Sequence, residues 1–437
     1  MSKYVDDDRV MPRFRVNREA LVDPEVFAQE RAKIFDHSWL YVGHETELLK
    51  PNDFKLRTVG GRPVIFARDA KGEIRVWMNS CPHRGAALCR EPSGNARFMT
   101  CFYHGWTYNT SGEQVSMPGD DRYGENFERP NLAKPPRLGS YRGFVFVSMD
   151  PDIMSLEDYL ADAKEYLDLI ADQSDEMRVI SGTHEYSVMA NWKLLMENSV
   201  DGYHAATTHQ RYFEMVLAAR GPIDLTKVAY GSAADLGNGH AVTFAGPGSG
   251  ELLGRPLSET GQAEREARLD RIRGVHGDGW VGRMRGTRNV VIFPNLIVID
   301  LVMGVVIRQV EPVSEREIAV SAWEMVPSED GPELLTQRLD NFLTFWGPGG
   351  LASPDDVEAL ESAQRAFATR KELQWSDLSR GMAHQDIKTD DELQMRTFWR
   401  RWNSLITGEV HPPEPHRAPR APFDARRLNL QQTSAVG

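Results

Sequence analysis

The sequence predicts an α+β protein built as an all-β domain over residues 38–150 and an α+β domain over 151–437. A helical segment, residues 1–37, precedes them and is expected to pack on the second domain. Three observations carry this reading. From residue 38 to 150, short runs rich in β-branched and aromatic residues alternate with turn signals such as DAKGE and NTSGE. From residue 151 onward, helical periodicities alternate with strand-like runs. The length of 437 residues is about three times that of a typical domain, which favours more than one unit.

The elements follow in order. DPEVFAQERAKIFD, residues 23–36, has helical spacing after an Asp-Pro start. The β region is read from WLYVG, FKLRTVG, PVIFARD, EIRVWMN, RFMTCF, GWTYN and GFVFVSM. SLEDYLADAKEYLDLIAD then opens a helix, with Ser155 and Asp158 spaced as a capping box. MRVISGTHEYSVMANW suggests a strand pair, and WKLLMENSVDGYHAATTH is helical in composition. Residues 231–256 are Gly-rich and read as a loop, and ETGQAEREARLDRIRG as a charged helix. Strands return over 288–325 and helices over 332–345 and 353–371. The tail from His411 is rich in Pro and Arg, lacks periodicity and is expected to lie extended over a surface.

Apolar residues at 41% and charged residues at 26% exclude a disordered chain. The net charge, 51 − 63 = −12, repels phosphate backbones and argues against a nucleic-acid partner. Three cysteines do not make a secreted disulfide framework. The opening MSKYVDDDRVMPRFRV is charged where a signal peptide would be apolar, so a cytoplasmic protein is expected. The most apolar stretch, residues 289–307, is interrupted by Pro294, Asn295, Asp300 and Gly304. It reads as two buried strands, with no membrane partner expected.

Two constellations carry chemistry. In CPHRGAALCREPSGNARFMTCFYHGW, Cys81-x-His83 and Cys101-x-x-His104 stand seventeen residues apart, in segments between predicted strands. Two thiolates and two imidazoles suit zinc or a Rieske [2Fe–2S] cluster. Zinc modules keep like ligands paired, whereas here each pair mixes Cys and His. Cys89 is left over and reads as a buried apolar residue.

The second constellation is ENSVDGYHAATTH, residues 197–209. His204 and His209 at i,i+5 stand about 140° apart on an ideal helix, so they meet at one metal only if the helix kinks or ends between them. Asp201, one turn before His204, could orient its ring. Glu197 and Asn198 add polarity beside a buried-looking WKLLM. A 2-His-1-carboxylate triad needs one acid more, and SPDD at 353–356 offers two. Local sequence explains that segment equally well as a helix start, with Ser353 as cap, Pro354 at N1 and Asp355 and Asp356 in the first turn.

Together these motifs resemble the large (α) subunit of Rieske non-haem iron aromatic ring-hydroxylating dioxygenases over nearly the whole chain. The motifs that carry the likeness are CPHRG…CFYHGW, ENSVDGYHAATTH and WGPGGLASPDD. The resemblance implies a Rieske domain at 38–150. It also implies a catalytic domain with an antiparallel sheet and helices around a mononuclear Fe(II). Cys81, His83, Cys101 and His104 would hold the cluster. His204, His209 and Asp356 would hold the iron, the second Asp of the pair being the family's ligand. Asn198 matches a polar residue near the iron. Asp201 would link the iron histidine of one subunit to the cluster histidine of its neighbour. An α-subunit ring, α3 or α3β3 with a small β subunit, is thereby implied.

The likeness further implies electrons from NADH through a separate reductase, with or without a ferredoxin. The implied product is a cis-dihydrodiol formed from one O2. FRV…FDHSWLYVGHETELLKPNDF and ENSVDGYH resemble members acting on benzoate, cumate or salicylate types. An aromatic carboxylate needs a cationic partner, and Arg285, Arg288 and Arg308 flank the apolar strands. Ser199, Val200, Val305, Phe345 and Leu351 are candidate pocket residues or ordinary core. The alternative functions are a Rieske monooxygenase or O-/N-demethylase with the same metals, or a plain electron carrier. The length argues against the carrier.

Overall fold

The computed structural model describes residues 3–220, 231–246, 257–301 and 304–414. The chain divides into two compact units. One is Gln29–Tyr159. The other joins Met1–Ala28 to Leu160–Gly437.

In Gln29–Tyr159 the β-rich runs form three small antiparallel sheets. Asp53–Val59 and Arg62–Arg68 make a hairpin, extended by Ile74–Met78 on one side and Ser93–Asn95 on the other. Gly60 and Gly61 form its two-residue turn with φ of 56° and 76°, the positive values a type I′ turn requires. Phe98–Thr100, Thr107–Asn109 and Gln114–Ser116 make a second sheet, and Leu40–His44, Phe144–Ser148 and Arg137–Tyr141 a third. Phe54, Ile65, Leu88, Met99, Trp106 and Tyr108 pack with the three cysteines in one buried cluster.

The second unit is organised by an antiparallel sheet. Its order runs Met177–Val179, Glu317–Pro327, Gly304–Ser314, Leu296–Leu301, Thr287–Ile292, His240–Ala245, Ser232–Gly237. His184–Val188 also pairs with Glu317–Pro327. The two eleven-residue strands at the centre are buried along most of their length, so side chains that leave them enter packed layers. Among the described residues, no helix is long and apolar enough to cross a membrane.

Four expectations need correction. The N-terminal segment is not only helical. Val5–Asp8 and Arg13–Asn17 form a hairpin that pairs with Trp375–Asp377, because the alternation in RFRVN buries every second residue. The helix follows at Pro24–Glu30. Residues 289–307 contribute to three strands rather than two, since the chain turns at Pro294-Asn295 and Gly304–Ser314 pairs antiparallel with Leu296–Leu301 as a strand of its own. The first part of the Gly-rich 231–256 segment is a hairpin turning at Asn238-Gly239, while 247–256 lies outside the described residues. Finally, Ser353 begins its helix, Ser353–Ala366, but does not cap it. Its hydroxyl donates to the carbonyl of Trp346 at 2.7 Å instead. The tail beyond residue 414 also lies outside the described residues.

Candidate metal centres

Two loops of the first unit carry the Cys/His pairs, and their backbones follow one plan. The amide of Cys81 donates to the carbonyl of Ala86 and that of Gly85 to Cys81, at 2.8 and 2.9 Å. The amide of Cys101 donates to Trp106 and that of Gly105 to Cys101, at the same distances. Gly85 and Gly105 both take φ of 76°, which lets each loop reverse without a Cβ clash. Each loop thus buries its sulfur and turns its imidazole outward. Cys81 and Cys101 are 2% exposed, while His83 and His104 are half-buried with ring centroids 4.4 Å apart. Trp106 stacks on His83 at 4.6 Å, and the Tyr108 hydroxyl lies 3.7 Å from the Cys81 sulfur.

This donor set fits a metal cluster. Burial pushes the Cys81 thiol up, with the neighbouring Cys101 adding to the effect, so a cation beside it would favour its thiolate. His83 Nδ1 is buried with no hydrogen-bond partner, as expected of a nitrogen reserved for a metal. Cys89 packs in the same buried cluster, its amide and carbonyl tied to the Asn79 side chain at 2.8 Å each.

The second centre lies in the other unit. The helix Trp192–Asn198 stops, and residues 199–203 form a loop. A four-residue helix, Ala205–Thr208, follows, with His204 and His209 flanking it. His209 takes φ −98° and ψ 28°, outside helical geometry, before the next helix starts at Gln210. This break cancels the angular offset of the i,i+5 spacing. Both Nε2 atoms approach Asp356 Oδ1, each at 3.3 Å. Among the described residues, this trio forms the group of His, Cys or acid ligand atoms within 4.8 Å of one another. Two ligands about 2.1 Å from one metal, at right angles, stand about 3 Å apart, so the spacing suits a single cation. Asp356 is buried, and Asp355 is turned to the other side of His209, 3.7 Å from its Nδ1.

The surroundings orient these groups. Asn198 Nδ2 donates to Asp356 Oδ1 at 3.1 Å and lies 3.4 Å from His204 Nε2. Asp201 Oδ2 stands 3.2 Å from His204 Nδ1, and its other oxygen accepts from the Tyr203 amide at 2.7 Å. Burial disfavours charge on His204, but hydrogen bonds to Asp201 and Asp356 outweigh it and raise its pKa to about 9. Burial pushes Asp356 up, but hydrogen bonds to His204 and His209 outweigh it and hold the carboxyl well below the usual carboxylate range. Beneath the loop, Trp399 Nε1 donates to Glu197, whose pKa burial pushes up to about 7. Gln394 Nε2 holds the carbonyl of Val200 at 2.9 Å. Sequence reasoning missed Trp399 and Gln394. They come from Leu393–Thr407, some 200 residues away, where only the Trp-rich amphipathic pattern hinted at a buried face.

The candidate pocket residues scatter. The Phe345 ring is 6.0 Å from His209 and 4.3 Å from Tyr212, so it stands at the site. Ser199 and Val200 are buried in the loop beside it, and Leu351 is 40% exposed. Val305 pairs with Asp300 and Met325, on the opposite face of its strand from Arg308. Of the three arginines, Arg288 is taken. It pairs with Asp300 at 3.0 Å and donates to the carbonyls of Arg283, Met284 and Gly286. Arg285 lines a small cavity of about 90 Å³ with Arg265, Arg268 and Arg338. Arg308 reaches Ser353, one helical turn before Asp356.

Comparisons with known proteins define the class. Residues 38–136 match the Rieske [2Fe-2S] domain, and residues 156–408 match the catalytic domain of the ring hydroxylating alpha subunit. The chain belongs to the aromatic ring-hydroxylating dioxygenase α-subunit family. As a member it carries a Rieske [2Fe–2S] cluster and a mononuclear non-haem iron. The 2-halobenzoate 1,2-dioxygenase large subunit of Burkholderia cepacia is 32% identical over 406 residues, covering 90% of this chain and 85% of that one. The anthranilate 1,2-dioxygenase large subunit of Acinetobacter baylyi is 34% identical over 395 residues, covering 84% and 80%. The crystal structure of naphthalene 1,2-dioxygenase from Rhodococcus sp. bound to indole superposes with TM-score 0.79 at 29% identity, covering 91% of this chain and 95% of that one.

The cluster makes one prediction here. Purified protein should contain about two irons and two labile sulfides per chain beyond the mononuclear iron. His83→Cys should lower the reduction potential toward the roughly −400 mV of all-Cys plant-type clusters, because an anionic ligand replaces a neutral one. Redox titration followed by EPR reads that shift. Stoichiometric zinc without sulfide would contradict the assignment.

Proposed function

We propose that this chain adds both atoms of O2 to the ring of an aromatic carboxylate, giving a cis-dihydrodiol. Electrons come from NADH through a separate reductase, directly or by way of a ferredoxin. The observation that carries the reading is the convergence of His204, His209 and Asp356 at a broken helix beside the aromatic wall of Phe345 and Tyr212. Relatives named for 2-halobenzoate, anthranilate and toluate support the carboxylate. Cys81, His83, Cys101 and His104 hold the cluster, and His204, His209 and Asp356 the iron. When bound, the two centres supply electron delivery and O2 activation. Three ligands on one face leave the opposite side open for O2 and substrate.

The chain's own residues do the rest. Asn198 fixes the Asp356 carboxylate, and Asp201 sets the ring of His204. Phe345 excludes water beside His209. Asp201, one-fifth exposed, keeps access for a second partner. In the proposed assembly that partner is His104 of a neighbouring copy, in an α3 or α3β3 ring. The quaternary ammonium Rieske monooxygenases resemble this chain at 19% identity, which shows the shared fold alone and does not favour monooxygenation. The test is a product screen with purified protein, Fe(II), NADH and a surrogate reductase. Substituted benzoates should yield cis-dihydrodiols at rates well above neutral arenes. Hydroxylated or demethylated products alone would refute the reading.

A further inference from the structure

Five arginines are buried among the described residues: Arg268, Arg288, Arg308, Arg396 and Arg400. A guanidinium is always charged at physiological pH, and burying it without an anion is costly. Four of them have one. Arg268 pairs with Asp330, Arg288 with Asp300, Arg396 with Glu414, and Arg400 with both Asp7 and Glu414. Arg308, at 2% exposure, has no carboxylate within ion-pairing distance among the described residues. Its Nη2 donates to Ser353 Oγ at 3.1 Å, and its Nε is buried without an acceptor.

The position of Arg308 says what anion is missing. Its guanidinium lies over the Trp346 ring, 5.2 Å from the centroid, and Trp346 packs edge-on against Phe345 at 4.4 Å. Phe345 in turn faces His209. Ser353, which receives the Arg308 hydrogen bond, begins the helix that presents Asp356 one turn later. Across the sheet, Arg308 and His184 are aligned through Ala322, so they share one face. His184 stacks on Phe342 at 4.1 Å, and its Nδ1 is buried without a hydrogen-bond partner. Burial and the charge of Arg308 lower the pKa of that ring, and an imidazole, neutral or cationic, is no counter-ion to a guanidinium. A positive fork, a second unused polar nitrogen and an aromatic wall are therefore linked to His209 through Trp346 and Phe345, and to the helix of Asp356 through Ser353.

We propose that Arg308 is the specificity-determining residue for this reaction, binding the carboxylate of the aromatic substrate while the ring lies toward His209 and Asp356. The inference rests on the dioxygenase reading above and names the group that selects its substrate class. A planar guanidinium matches a carboxylate through paired hydrogen bonds, which a neutral isostere cannot repeat.

Binding of benzoate and of neutral benzamide to the anaerobic, iron-loaded full chain tests it, by calorimetry or by quenching of tryptophan fluorescence. Wild type should bind benzoate roughly 100-fold more tightly than benzamide, as expected for a desolvated charge pair. Arg308→Gln should weaken benzoate by about the same factor and change benzamide less than about threefold. Arg308→Lys keeps the charge without the fork. It should fall between, and it decides the matter if the Gln variant fails to fold. Equal wild-type affinity for both ligands, or an equal loss for both ligands in either variant, would overturn the assignment. Cis-diol formation from neutral arenes with no benzoate preference would sink the Arg308 inference and leave the dioxygenase reading standing. Selective, Arg308-dependent benzoate binding without any ring oxidation would do the reverse.

Discussion

Replacing His204, His209 or Asp356 by Ala is expected to release the mononuclear iron and drop ring oxidation to below about one-thousandth of wild type, since O2 activation depends on the bound metal. The visible and EPR spectra of the Rieske cluster should be unchanged, because its four proposed ligands, Cys81, His83, Cys101 and His104, belong to another compact unit. Each of the three contributes one ligand atom, and these atoms lie within 4.8 Å of one another. Asp355 is the internal control. Its oxygen is 3.7 Å from His209 Nδ1, beyond hydrogen-bond range, and its side chain is 41% exposed. Asp355→Ala should keep the iron and cost no more than about tenfold in rate. Iron analysis and turnover on one set of preparations measure both. Iron loss in the Asp355 variant with retention in the Asp356 variant would reverse the choice between them.

Asp201→Asn is expected to keep both metals and substrate affinity while slowing turnover by about 100-fold or more. The amide preserves shape but removes the charge that faces His204 Nδ1 at 3.2 Å. In the proposed ring the same carboxylate accepts from His104 of the next copy, so electron passage between subunits is the step that suffers. Two partly buried acids flank this position. Burial pushes both Glu197 and Glu392 up to about 7, and Asp201 contributes to each shift, so negative charge at Asp201 is already crowded. Single-turnover experiments separate the possibilities. Normal substrate binding with slow cluster reoxidation supports the bridge. Loss of iron would instead assign Asp201 to holding His204 alone, and turnover at the wild-type rate would exclude both roles.

How much of this was legible in the sequence depends on distance along the chain. The Cys/His loops are short, with turn residues at fixed offsets, so the motif and its β setting could be read together. The histidine pair was readable as a constellation. Its convergence depended on a helix break, whose place became clear only from the backbone at His209. Contacts between remote segments left no such trace. Arg13–Asn17 pairs with a strand about 360 residues later, and Trp399 reaches Glu197 across 202 positions. The apolar stretch at 289–307 read as two strands because Gly304 looked like an interruption rather than the start of a third strand. Arg308 looked no different from Arg285 or Arg288. Only the accounting of buried charge, partner by partner, sets it apart.

The central claim is that the centre at His204, His209 and Asp356 delivers both atoms of one O2 to an aromatic ring. Turnover of benzoate under ¹⁸O2 in ordinary water, followed by mass spectrometry of the diol, tests it most directly. Both new oxygens should carry the label, and a single labelled oxygen, with the other drawn from water, would contradict it.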